Sequence, residues 1–311
     1  MPVLLLAVLA CGCAAAGIGA RDSGGWSAAP PLRNARSAHV VVALGGSIYV
    51  LGGSGAGGPV LEVERFDGER WHAETVLPEG LNAPAAAVLG GRIYLVGGFA
   101  GVGNVPTGRV RVYDPAARRW SEAARLPAPR GGHAAAVLDG RIHVVGGGNS
   151  VSTLADHSVY DPAADRWTSL APLPRAKGSP AAVVLDGRLV VIGGRSGRAD
   201  FGEVHAYDAA ADRWTALPPL EPRGTHGAVV LGGRIHVFGG ESQARGASLA
   251  EVLRLDADRG AWEVLPPLPT ARTYARAVLL GGAVYVVGGS PTPGSSHSAA
   301  GSAVVERYVE R

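Results

Sequence analysis

The residues best equipped for chemistry in this 311-residue chain are cations at one recurring position. Arg36, Arg130, Lys177, Arg223 and Arg272 each stand just ahead of a short apolar run, with Leu81 the exception in a series of six. If they converge on one face, they favour an anionic ligand such as a carboxylate, a phosphate or an acidic sugar. The competing reading is structural or compositional, because arginine is used throughout: Lys177 is the one lysine among 29 basic residues. Arg276 differs in kind, since its counterparts Val40, Ala85, Ala134, Ala181 and Gly227 are all small or apolar. A charge buried there without a partner is costly, so Arg276 either reaches a central channel or pairs with a carboxylate.

Other reactive groups give weaker signals. His39, His133 and His226 share one repeat position, their spacing resembles no metal motif, and they read as satisfied structural histidines. His143 and His236 replace a tyrosine and read as packing variants. Serine, histidine and aspartate are all present, but no Gly-x-Ser-x-Gly elbow places a nucleophile. Both cysteines, Cys11 and Cys13, lie in the first twenty residues, which excludes disulfides, cysteine-ligated zinc and thiol nucleophiles from the remainder. No cofactor and no metal is expected.

The elements that must position these groups are strands. The run Arg141-Ile-His-Val-Val-Gly-Gly147 recurs six times, its first glycine falling at 52, 97, 146, 193, 239 and 288. Self-similarity at so even a period marks stacked repeats. Within each unit a small apolar strand, such as Ala134-Ala-Ala-Val-Leu138, runs into a two-residue turn, Gly-Gly or Asp-Gly, suited to a tight hairpin. The Gly-Gly strand is the second. A variable loop leads to a third strand ending in Tyr-Asp or a variant of it, and a fourth opens on Trp71, Trp120, Trp167, Trp214 or Trp262. Four antiparallel strands per unit and no helical pattern predict a ring of blades, each burying both faces against its neighbours.

The Gly-Gly, Tyr-Asp and Trp landmarks, in this order, resemble the kelch repeat across residues 26–311. The resemblance implies an all-β, six-bladed β-propeller. The last unit has three strands, ending at Tyr308, but no tryptophan after them, whereas Trp26-Ser-Ala-Ala-Pro-Pro-Leu32 precedes the first complete unit. We therefore expect the N-terminal strand to close the C-terminal blade. Variable loops 54–60, 99–108, 148–156, 195–202, 241–249 and 290–302 share a face with the linker cations, and that face is the expected binding surface. Known kelch binders of acidic peptides use arginines from this region, so the resemblance implies a binding or interaction module for a protein, or for an anionic small molecule or glycan.

The resemblance takes in two enzyme types. Copper radical oxidases need a Cys–Tyr crosslink, and no cysteine lies in the body. Bacterial kelch sugar mutarotases acting on sialic acid carry a Glu and an Arg on a loop after a second strand. Gly240-Glu241-Ser-Gln-Ala-Arg245 is similar, with Glu241 as acid–base and Arg245 as carboxylate clamp, although the spacing differs. A sugar mutarotase or epimerase is the alternative function.

Residues 1–20 contain the apolar core Val3-Leu-Leu-Leu-Ala-Val-Leu-Ala10, too short to span a bilayer, and read as an export signal followed by a linker at 21–25. Val8-Leu-Ala-Cys11 resembles a lipoprotein box with Cys11 lipidated, while Ala14-Ala-Ala16 offers ordinary cleavage. A periplasmic or cell-envelope lipoprotein, or a secreted protein, is expected, and a monomer. The net charge of +3 is small and no basic run interleaves with aromatics, so no nucleic-acid partner is expected.

Overall fold

The computed structural model describes residues 25–101, 103–197, 199–256, 259–294 and 301–310. The expected export segment and Cys11 lie outside them. Among the described residues the chain forms six four-stranded antiparallel sheets. In the first, Val40–Leu44 is innermost, followed outward by Ser47–Leu51, Glu62–Phe66 and Trp71–Val76. The inner strands contact one another in a cycle, from Val40–Leu44 through Ala85–Leu89, Ala134–Leu138, Ala181–Leu185, Gly227–Leu231 and Arg276–Leu280 back to the first. Their small side chains let six sheets converge on one axis. Every second strand is almost wholly buried, because neighbouring blades cover both of its faces.

The local chemistry of each unit explains its shape. The hairpin pairs take left-handed conformations, as at Gly45 and Gly46 (φ 57° and 74°) or Asp139 and Gly140 (φ 51° and 69°), matching the strand twist. At the end of the second strand Gly53 has φ +84°, and a β-carbon there would lie 2.4 Å from the Ser37 carbonyl oxygen. Only glycine lets the chain leave the sheet so close to the preceding linker. Where the third strand ends in an aromatic the tryptophan packs on it, with ring centroids 4.9 Å apart for Tyr113–Trp120 and 5.1 Å for Tyr207–Trp214, whereas Trp262 pairs with Leu255. Most indoles also donate to a neighbouring blade, for example Trp167 to Ala124 O at 2.8 Å and Trp214 to Ala171 O at 2.9 Å.

The two chain ends meet as expected. Trp26–Ala29 pairs with Val305–Tyr308 in the register Trp26↔Tyr308, Ser27↔Arg307, Ala28↔Glu306 and Ala29↔Val305. Trp26 takes the role of the other tryptophans: its ring lies 4.9 Å from Tyr308 and its indole donates to Pro266 O at 3.1 Å. One expectation needs refining. Four of the variable loops are themselves built on short hairpins, such as Arg195–Ser196 with Ala199–Asp200 and Glu241–Ser242 with Ala247–Ser248. Glycines within or beside their turns allow this, and the hairpins raise polar side chains around the axis.

Candidate functional site

The five linker cations do not form the expected ligand-binding rim. Arg36, Arg130, Lys177 and Arg272 are 0% exposed and Arg223 1%. Their direction is set by a backbone need: the sharp exit at each Gly-Gly pair leaves the first glycine's carbonyl outside the ladder, and a guanidinium fills the place. Arg36 donates through Nη1 to Gly52 O at 3.1 Å, Arg130 to Gly146 O at 3.1 Å, Arg223 to Gly239 O at 3.3 Å and Arg272 to Gly288 O at 2.7 Å. Carboxylates complete several of these clamps: Glu64 for Arg36 and Glu306 for Arg272, both at 2.5 Å, then Asp156 for Arg130 and Glu203 for Lys177, both at 3.2 Å. Burial lowers the pKa of all five, that of Arg223 to about 10. These groups hold the blades rather than a ligand. Arg36→Met, which strands Glu64 in the interior, is expected to cost about 3 kcal/mol in urea unfolding. Pairing it with Glu64→Gln should recover part of that loss.

The surface around the axis is built from two other repeat positions. Ala38, Ala83, Gly132, Ser179, Thr225 and Tyr274 are equivalent, and all six are left-handed, with φ of 52°, 45°, 62°, 52°, 58° and 54°. Their backbones bond in succession: Ala83 N to Ala38 O (2.8 Å), Gly132 N to Ala83 O (2.8 Å), Ser179 N to Gly132 O (2.6 Å), Thr225 N to Ser179 O (3.1 Å) and Tyr274 N to Thr225 O (3.0 Å). The result is a collar about the axis, held in a conformation unfavourable for non-glycine residues. The Tyr274 ring packs with Ala38, Ala83 and Phe99, so it crosses from the last blade to the first two and closes the axis on the variable-loop face.

The second position directly follows each Gly-Gly pair and carries Ser54, Phe99, Gly148, Arg195, Glu241 and Ser290. Arg195 donates to Glu241 Oε1 at 3.1 Å and to the Tyr274 hydroxyl, and its guanidinium lies 5.6 Å over the tyrosine ring. Glu241 also accepts from Thr273 Oγ1 at 3.0 Å, and Thr273 meets Thr225 at 2.5 Å. Beside this network opens a cavity of about 160 Å³. Phe99 and Arg195 line it together with the hydroxyls of Thr153, Ser179 and Ser196, over backbone at Gly131, Gly132, Gly148 and Gly178. A β-carbon on Gly131 would come within 2.4 Å of the Phe99 ring, so glycine is what admits the aromatic there.

The expected pair of Glu241 and Arg245 is not brought together. Arg245 sits in the turn of a hairpin and bonds Glu251 at 2.6 Å and Glu221 at 3.5 Å. Glu241 takes instead the guanidinium of Arg195, 46 residues earlier. Sequence reasoning missed Arg195, although a signal was present: aligned by repeat, Arg195 and Glu241 are the charged residues that immediately follow a Gly-Gly pair.

Arg276 takes the first of its two alternatives and lines the central channel. His39, His133 and His226 are buried, as expected of structural histidines, but loosely satisfied. Each ring faces the backbone of Val287, Val96 or Ile192 in the preceding blade without full hydrogen-bond geometry. Burial, aided by the nearby arginines, holds all three neutral, with pKa lowered to about 3 for His133 and His226. His143 bonds His157 at 2.9 Å beneath Tyr207, and burial lowers both to about 4.

Comparison with known proteins agrees with the propeller fold. The family model described as KLHDC2/KLHL20/DRC7 Kelch-repeats domain matches residues 26–175 and 169–289. No curated protein matches the sequence. Among solved structures, that of YjhT superposes with a TM-score of 0.77 over 90% of this chain and 96% of that one, at 16% identity, a likeness of fold. Matched over most of its length and built from Gly-Gly, Tyr-Asp and Trp blades around one axis, the chain belongs to the kelch-repeat family of β-propellers.

Proposed function

We propose that the protein is a binding module that takes a small acidic sugar, or a ligand of like chemistry, in the cavity between Phe99 and Arg195. One observation carries this reading: Phe99, Arg195 and the hydroxyl-bearing Thr153, Ser179 and Ser196 line the same glycine-rich cavity. Aromatic rings cover the apolar face of a sugar, hydroxyls exchange hydrogen bonds with its own, and a guanidinium fits a carboxylate. At about 160 Å³ the cavity is close to the ~150 Å³ that accommodates a benzene ring, enough for one six-membered ring. Arg195 keeps 21% of its side chain exposed, whereas the linker cations keep none or almost none.

Catalysis by Glu241 is the second reading, favoured by its contact with Arg195. Glu241 is 1% exposed and both its oxygens are bonded, which fits a group that orients Arg195 better than one that exchanges protons with a sugar. The apolar run of residues 3–10 and Cys11 support an exported setting, lipid-anchored or free.

Calorimetry with sialic, glucuronic and galacturonic acids against their neutral counterparts tests the reading. The acids should bind at least about tenfold more tightly than the neutral sugars, the scale of one charge-assisted contact. Arg195→Gln should erase that preference and Phe99→Ala should weaken both classes. Equal binding of acids and neutral sugars would defeat the proposal. Accelerated anomer exchange by NMR, lost in Glu241→Gln, would favour the enzyme.

A further inference from the structure

Beside the collar, the first residues of the six inner strands line a partly open chamber of about 130 Å³. Five of its six equivalent positions carry Val40, Ala85, Ala134, Ala181 and Gly227, and the sixth carries Arg276. The arginine side chain occupies space that its small neighbours leave open. Its Nε donates to His39 O at 3.2 Å and its Nη1 to His226 O at 3.4 Å, the carbonyls of the two flanking blades. A guanidinium has five N–H donors, so these bonds leave three more.

The charge of Arg276 is handled unlike those of Arg36, Arg130, Lys177 and Arg272, each of which meets a carboxylate. Among the described residues no carboxylate forms an ion pair with Arg276. His133 and His226, which share the chamber wall, are held neutral by burial and offer no negative charge. A guanidinium cannot shed its proton at ordinary pH, and Arg276, partly buried in the channel wall, carries its charge there without a carboxylate partner. Two carbonyl dipoles answer only part of that charge.

We infer that the central chamber is a binding site for a small monovalent anion, seated on the inward N–H groups of Arg276. Its volume of about 130 Å³ admits a halide, nitrate or formate. The site is separate from the cavity at Phe99 and Arg195, because the collar and the Tyr274 ring lie between them. It therefore stands or falls independently of the sugar-binding reading.

The test compares melting curves of the wild type and Arg276→Met in sodium chloride, bromide, nitrate, formate and gluconate at one sodium concentration. Gluconate, the bulkiest of these anions, serves as the reference. In the wild type the small anions should raise Tm relative to gluconate, saturably, by about 3 °C more than in the variant. Anion effects acting on the whole surface cancel in that comparison. Crystals of the wild type grown in bromide should show an anomalous peak beside Arg276, a readout that does not depend on the variant folding. Equal anion responses in the two proteins, or bromide absent from the chamber, would overturn the inference.

Discussion

Removing residues 26–32 is expected to lower the melting temperature by about 15 °C or more. Those residues supply the outer strand of the last blade and lock it to its neighbours. Trp26 is 4% exposed, packed between Phe238 at 6.0 Å and Tyr308 at 4.9 Å. Leu32, equally buried, lies in the cluster that joins the last blade to Ile48, Val50 and Phe66 of the first, and its amide donates to Ala303 O at 2.9 Å. Truncating a buried tryptophan costs about 3–5 kcal/mol and a buried leucine about 2–5. In a protein of this size each kcal/mol is worth roughly 2–4 °C. The deletion also bares the edge of Val305–Tyr308, whose unpaired backbone groups invite association with other chains. Trp26→Ala alone should reproduce about half the loss, and a peptide spanning residues 25–33 added in trans should restore part of it. A melting curve unchanged by the deletion would mean that the first and last blades are joined by their inner strands alone.

The parts of this fold legible in the sequence are those whose causes are local. A β-branched run ending on Gly-Gly occurs once in every unit, and a tryptophan after Tyr-Asp or its variant marks an outer strand, so the repeats could be counted without long-range information. Closure was legible for the same reason in reverse: Trp26 lacked its third strand and Tyr308 lacked its tryptophan. The site was not legible, because its causes are directional. That Arg36 recurs is visible in the chain; that its guanidinium turns inward to the Gly52 carbonyl, away from solvent, follows from the angle at which the linker meets the sheet. Arg195 and Glu241 meet only because adjacent blades place their hairpins side by side. The cavity is defined as much by missing side chains, at Gly131, Gly132 and Gly148, as by those present. Tyr274 closes the axis from a left-handed backbone that its residue type gave no reason to expect.

Mild acid is expected to destabilise the protein well above the pH at which its carboxylates titrate. His39, His133 and His226 are at most 5% exposed, and burial lowers the pKa of each, to about 3 for His133 and His226. Protonation would place a second cation near Arg36, Arg130 or Arg223, which already press each pKa downward. In the unfolded chain these histidines titrate near ~6.5. Because the folded pKa lies below the unfolded one, the unfolded state binds protons first as the pH falls. Their contribution is therefore fully present above pH ~6.5 and is lost progressively toward the folded value near 3. At ~1.4 kcal/mol per proton and pH unit, His133 and His226 each cost about 2 kcal/mol at pH 5, or about 4 kcal/mol for the two, and His39 adds to the loss in the same direction. The His143–His157 pair, lowered to about 4, adds to the loss as one coupled unit. Urea unfolding between pH 7.5 and 5 should thus show stability falling along a slope that steepens as the unfolded histidines protonate, and His226→Gln should remove about one proton from that slope near pH 5. A flat profile across that range would show that the folded protein accepts these protons in place. The rings would then have partners far stronger than the backbone of Val287, Val96 and Ile192, and the histidines would be charged members of the blade junctions instead of neutral filling.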